Sequence, residues 1–120
     1  MYEDKEFQMW LQDGVLHLIY KKDIIITLEV AKRIVSTRLL LQEGTSYPGI
    51  AYMNEFTVAT PEARKFLAKE GYEGVVKAAV ITYSKIRTVI VSMFIMFDKP
   101  LKPTRIFTNR EDALKWLKAS

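Results

Sequence analysis

The chain has 120 residues, of which 49% are hydrophobic and 27% charged, with a net charge of +4 at pH 7 and no cysteine. This length suits one domain, and the composition is ordinary for a globular protein. Without cysteine the chain has no disulfide, thiolate nucleophile, iron–sulfur cluster or cysteine-ligated zinc.

The first predicted element is a β-hairpin. Two segments, FQMWLQ and VLHLIY, carry alternating apolar side chains and are separated by Asp13 and Gly14. An Asp-Gly pair between two such segments is typical of a tight hairpin turn. We therefore expect two antiparallel strands near the start of the chain.

A helix is predicted between Thr27 and Gly44. Thr27 is suited to capping the free amides of the first turn, and Gly44 can adopt the left-handed conformation that ends a helix. After a turn at TSYPG, the segment IAYMN predicts a short strand. Between the two ends of the helix, apolar side chains recur at near-helical spacing: Leu28, Ala31, Ile34, Val35 and Leu41.

The second predicted helix begins at Thr60 and Pro61 and ends at Gly71. Threonine before proline is typical of a helix N-cap followed by the first helical position. The segment VVKAAVITY then predicts a buried strand.

A third helix is predicted over residues 85–97, and it stops before Pro100 because proline cannot continue a helix. The segment TRIFT predicts a last short strand. A final helix follows in NREDALKWLK, where Thr108 and Glu111 have the spacing of a capping box.

The predicted element order is ββαβαβαβα, within a single domain over residues 1–120. After the hairpin, strands and helices alternate with short connections, a pattern that favours crossover units and parallel strands. We therefore expect an α/β fold with a mostly parallel five-stranded sheet, an N-terminal hairpin and four helices.

The sequence resembles the STAS-like proteins, which have the fold of anti-sigma-factor antagonists, and in particular small stand-alone bacterial members. The resemblance covers most of the chain and implies the same fold. It also implies a binding or switching module that has no chemistry of its own. The matching pieces are Thr27-Leu28-Glu29 with Ala31, Glu62-Ala63-Arg64 with Phe66-Leu67-Ala68, and Phe107-Thr108 with Glu111, Ala113-Leu114 and Trp116-Leu117.

In regulatory STAS-like proteins a serine or threonine at the start of the second helix is phosphorylated by a partner kinase. The resemblance places Thr60 closest to that position, with Thr57 nearby, although the chain reads TVATPEAR where that group has Asp-Ser-Ser-Gly. A phosphate or other anion there would meet free amides and a favourable helix dipole. The alternative is that Thr60 is an N-cap and nothing more.

Motifs that carry catalysis are not found in the sequence. The single histidine, His17, lies in a predicted strand without the partners that a metal site or nucleophile needs, and the glycines fall at turns. We therefore expect no enzyme activity, metal or cofactor. The pI of 9.3 raises the question of nucleic acid, but the aromatic residues fall in apolar periodic segments, so we expect no nucleic-acid partner.

The segment IRTVIVSMFIMF, residues 86–97, is apolar almost throughout. Its longest uncharged stretch, Thr88 to Phe97, has ten residues and is too short to span a membrane, which takes about 20. A helical projection puts Ile86, Val89, Ile90, Met93 and Phe97 near one face and other apolar side chains elsewhere.

Three explanations for this apolar segment are open: burial on both sides, a subunit interface, or the wall of a pocket for an apolar ligand. We expect an association or ligand surface that includes Val91, Phe94, Ile95 and Met96, and favour a two-fold homodimer.

These observations favour a non-enzymatic regulatory or scaffolding module that acts through contacts with a protein partner. The alternative is a carrier or sensor of a small lipophilic molecule, a role that the resemblance also implies and that the adaptable methionines suit. The first ten residues are acidic and lack the basic and apolar regions of an export signal, so a cytoplasmic location is expected.

Overall fold

The computed structural model describes residues 1–21, 23–53 and 57–119. In this part of the chain a six-stranded sheet has the order β1-β2-β3-β5-β7-β8, and β4 and β6 form a separate two-stranded sheet. The strands are β1 Tyr2–Glu3, β2 Phe7–Gln12, β3 Val15–Tyr20, β4 Ile25–Ile26, β5 Tyr47–Tyr52, β6 Val58–Ala59, β7 Val75–Ile81 and β8 Thr104–Phe107. The α-helices are α1 Leu28–Gln42, α2 Pro61–Lys69, α3 Lys85–Met93 and α4 Arg110–Lys118.

The predicted hairpin is present. Strands β2 and β3 pair antiparallel from Phe7 opposite Tyr20 to Gln12 opposite Val15. Asp13 and Gly14 both have positive φ, 51° and 75°, which is the backbone that a two-residue type I′ turn requires. The turn that the sequence predicted therefore sets the register of the hairpin.

The sheet is larger and more mixed than expected. The short strand β1 adds to the edge antiparallel to β2, with Tyr2 opposite Met9, so the sheet has six strands among the described residues rather than five. The pairs β3–β5, β5–β7 and β7–β8 are parallel, as the alternating order predicted. A two-residue strand carries no periodicity of its own, and β1 was therefore not predicted.

The two faces of the sheet pack against different helices. Phe7, Met9, Leu16 and Tyr20 form one buried cluster with residues of α1 and α2. Alternate positions point the other way, where a second cluster packs against α4. The buried members of that second cluster are Val15, Ile50, Ala79, Ile81, Ala113 and Leu117.

Threonine side chains cap the first two α-helices as predicted. The Thr27 hydroxyl accepts a hydrogen bond from Val30 N at 3.2 Å, and the Thr60 hydroxyl accepts one from Ala63 N at 3.2 Å. Helix α2 ends at Lys69 and continues as a 3₁₀ turn over Glu70–Tyr72. Each cap satisfies a backbone amide that the helix itself leaves without a partner.

The last two α-helices differ in detail from the prediction. Helix α3 is α-helical only to Met93 and then forms a π-helical turn, Phe94–Asp98, before Lys99 takes a left-handed conformation. The N-cap of α4 is Asn109 rather than Thr108, because Asn109 Oδ1 accepts from Asp112 N at 2.8 Å. The predicted capping box was therefore placed one residue too early.

A carboxylate ties the N-terminal strands to α1. Asp4 Oδ1 accepts from the backbone N–H groups of Glu6 and Phe7 at 2.8 and 3.0 Å, and Asp4 Oδ2 accepts from the Tyr2 hydroxyl at 2.9 Å. Arg33 Nε of α1 donates to Asp4 Oδ2 at 3.0 Å. Burial by itself would raise the pKa of Asp4, but these donors outweigh it and hold the pKa below its ordinary value.

Asp4→Asn should lower the free energy of unfolding by about 2 kcal/mol at pH 7, because it removes the charge that these donors stabilise. The folded-state pKa is depressed, so this contribution is present above the unfolded pKa of about 3.8 and is lost as pH falls through the lower folded value. Urea unfolding at pH 7 and pH 3 measures both effects. Glu29→Gln is the control, since Glu29 lies 3.8 Å from Arg33 but is 89% exposed. Equal losses for the two variants would contradict the role of Asp4.

Candidate functional site

A cavity of about 370 Å³ lies between the sheet and helices α1, α2 and α3. This volume is within the range of small-molecule sites, about 300–1,000 Å³. Most of its wall is apolar. The sheet supplies side chains from β3, β5 and β7, and the three helices supply Ile34 and Val35, Leu67, and Ile90, Val91 and Phe94.

Small residues on neighbouring strands form the floor of the cavity. Gly49 lies beside Ala78 in the register of β5 and β7, and Ala51 lies beside Val80. A Cβ placed on Gly49 would have Leu16 O, at 3.7 Å, as its nearest neighbour. Space is therefore left above these strands, because their side chains are too short to reach the helices.

Three arginine side chains are the charged groups among the described residues that line the cavity. Arg38 of α1 is 6% exposed and Arg87 of α3 is 4% exposed. Arg64 of α2 pairs with Asp98 at 3.2 Å and also donates to the carbonyl oxygen of Ala59 at 3.3 Å. The apolar cavity thus has cationic groups built into its wall.

The four residues predicted to form an association or ligand surface on the third helix differ in their exposure to solvent. Val91 is buried and Phe94 is half-buried, and both line the cavity. Ile95 is half-buried and Met96 is 65% exposed. Two of the four residues predicted to form an association or ligand surface therefore line the cavity, and Met96 lies on the exposed side of the segment.

The exposed apolar face of the third helical segment, here called the outer face, consists of Met96 and four residues outside the predicted set. The helix is rotated relative to the prediction because Arg87 is buried, together with Val91 one helical turn later. A hydrophobicity pattern assigns a lone arginine to the solvent side and so rotates the helix the wrong way. The outer face consists of Ile86, Val89, Met93, Met96 and Phe97, each more than half exposed.

The two threonines proposed as an anion or phosphorylation site lie in different settings. Thr57 is fully buried and contributes to the cavity wall. Thr60 is half-buried, and its hydroxyl caps α2. Of the two, Thr60 is the residue that a partner enzyme could reach without opening the core.

His17 lies in β3 on the face opposite the cavity. Its ring stacks between Trp10 and Tyr52, with centroids 5.0 and 6.1 Å away, and His17 Nδ1 lies 3.2 Å from the Tyr52 hydroxyl. Burial lowers the pKa of His17, and the charge of Arg110 adds to this effect. Among the described residues no group of three or more histidine, cysteine, aspartate and glutamate side chains is arranged to hold a metal ion.

Residues 9–120 match the family model described as Domain of unknown function (DUF7793). The chain belongs to this family. A search of the curated proteins finds no match to the DUF7793 chain.

Two solved structures resemble this DUF7793 chain. An uncharacterized protein of the DUF3478 family with a SpoIIAA-like fold, from Shewanella loihica PV-4, is 14% identical with a TM-score of 0.62, and 98% of each chain is covered. A protein with unknown function from Arthrobacter sp. FB24 is 22% identical with a TM-score of 0.37, and the match covers 94% of this chain and 100% of that one.

The similarity to the Shewanella protein shows that the DUF7793 chain has a SpoIIAA-like fold, which confirms the resemblance to STAS-like proteins at the level of fold. At that identity the likeness concerns the fold alone. In the part of the chain that the structure describes, no helix has both the length and the apolar character that crossing a membrane requires.

The pKa of His17 should lie below 6.5, its ordinary value, when the chain is folded. The unfolded chain then takes up this proton first, so the free energy of unfolding falls as pH drops below about 6.5. Because His17 is the single histidine, a proton NMR titration of its imidazole signal reports the pKa directly. The same titration in concentrated urea gives the unfolded reference. A folded pKa equal to or above that reference would contradict the burial of the neutral ring.

Proposed function

We propose that this DUF7793 chain is a non-enzymatic carrier or sensor whose cavity holds a small lipophilic molecule. The observation that carries the proposal is the apolar space of about 370 Å³ beneath α3. This volume is within the range of small-molecule sites, and the described wall is mostly apolar, as expected of a site for a lipophilic ligand.

The groups that face the cavity support binding rather than catalysis. Beside the apolar residues, its described lining includes three arginines and the hydroxyl-bearing residues Tyr20, Thr57 and Tyr72. Guanidinium groups and hydroxyls of this kind orient a ligand by hydrogen bonds and charge. We place this function in the cytoplasm, as expected from the sequence.

Ala51→Leu should fill part of the cavity from its floor and weaken binding of an apolar probe at least about tenfold. The added carbons enter open space, so we expect the stability of the chain to be retained or raised. Titration with 1-anilinonaphthalene-8-sulfonate, followed by its fluorescence, measures the binding. Ala119→Leu adds the same volume at an exposed position and serves as the control. Unchanged binding by the Ala51 variant would contradict the cavity as the binding site.

A second function, regulation through protein contacts, is favoured by the outer face of the third helical segment. Its side chains at positions 86, 89, 93 and 96 alternate steps of three and four residues, which is the spacing of a helix-pairing seam. We propose that a second copy of the chain covers this face, so that a homodimer presents the module to its regulatory partner. Exposed contiguous apolar surface of this kind marks association sites.

Val89→Lys should convert a dimer into a monomer, because it places a charge in the seam. Light scattering coupled to gel filtration measures the mass. Val76→Lys is the matched control, since Val76 of β7 is 51% exposed and Val89 is 58% exposed. Lys85, Lys99 and Lys102 flank the segment in the sequence, so dimerisation should strengthen as salt screens their repulsion. A wild-type chain that stays monomeric at high concentration and high salt would contradict this second function.

A further inference from the structure

The charge of the cavity wall indicates which class of lipophilic molecule fits, and this inference rests on the proposed function. The described residues that line the cavity include Arg38, Arg64 and Arg87 and no acidic side chain. Arg64 is balanced by Asp98. An anionic group in the cavity would therefore meet cationic side chains in its described wall.

Arg38 is the cation whose surroundings are best defined. Its guanidinium is 6% exposed and donates to Gln42 Oε1 at 2.8 Å and to the carbonyl oxygen of Gly71 at 3.1 Å. Both acceptors are neutral. Burial of the Arg38 charge is costly; the nearby Glu73 carboxylate offsets part of this cost, and an anion within hydrogen-bond reach would offset more.

We infer that the cavity binds an anionic amphiphile, with its carboxylate or similar head group at Arg38 and its hydrocarbon chain above Gly49 and Ala78. The head would gain charge-assisted hydrogen bonds from a planar guanidinium, a geometry that suits carboxylates. The inner face of α3, through Val91 and Phe94, covers the chain of the ligand.

The volume indicates the size of the hydrocarbon chain. A volume of about 370 Å³ is near the lower end of small-molecule sites, which favours a medium-length chain over a long one. Laurate, with twelve carbons, is therefore a suitable probe. Dodecanol and dodecyltrimethylammonium have the same chain with a neutral and a cationic head.

Isothermal titration calorimetry of the full chain at pH 7.5, with each probe below its micelle concentration, tests the inference. We expect laurate to bind about tenfold tighter than dodecanol, and dodecyltrimethylammonium to bind most weakly. Arg38→Met should weaken laurate about tenfold and leave dodecanol within about twofold. Arg105→Met, at an exposed arginine of β8, is the matched control and should change neither affinity.

The possible failures are distinguishable. If none of the three probes binds, the proposed function fails. If dodecanol binds as tightly as laurate, the cavity still binds lipophilic molecules, but the inference that its ligand is anionic is overturned. If laurate is preferred but Arg38→Met leaves its affinity unchanged, the assignment of the head group to Arg38 is overturned. If Arg38→Met does not fold, Arg38→Lys serves instead, because it keeps the charge. This variant must still prefer laurate over dodecanol, and loss of that preference would overturn the inference.

Discussion

The architecture of the candidate site depends on the side-by-side pairing of Gly49 and Ala78 in two central parallel strands. A close-packed protein interior normally fills such a position with larger side chains. Here the helices rest on longer residues around it, and the short side chains leave a trough in the sheet. Helix α3 crosses above with Val91 and Phe94 directed inward. The cavity is therefore a consequence of strand register and not of a loop or a domain boundary.

The two sides of the third helical segment have different roles in this account. The inner side, which includes Arg87, closes the cavity, and the outer side leaves Val89 and Met93 in solvent. A ligand in the proposed site would contact the inner side of the segment and leave the outer side free. The two proposed functions are thus compatible in one fold, because they would use opposite sides of the same segment.

Local signals account for what the sequence could predict. The Asp13-Gly14 turn and the caps at Thr27 and Thr60 are fixed by neighbouring residues, and the structure contains all three. Strand β1 depends instead on Asp4 and on Arg33 of a distant helix. The rotation of α3 depends on the burial of Arg87, which no pattern of hydrophobicity indicates. The cavity required the register of β5 and β7, a contact between segments far apart in the chain.

The proposed ligand site requires an apolar space between the strands and the third helix. A crystal structure of the purified chain tests it most directly. The account predicts a separation between Ala78 and the side chains of Val91 and Phe94 that is wide enough for elongated density or for a dry void. Direct van der Waals contact of Val91 and Phe94 with Gly49 and Ala78, with no space between them, would contradict it.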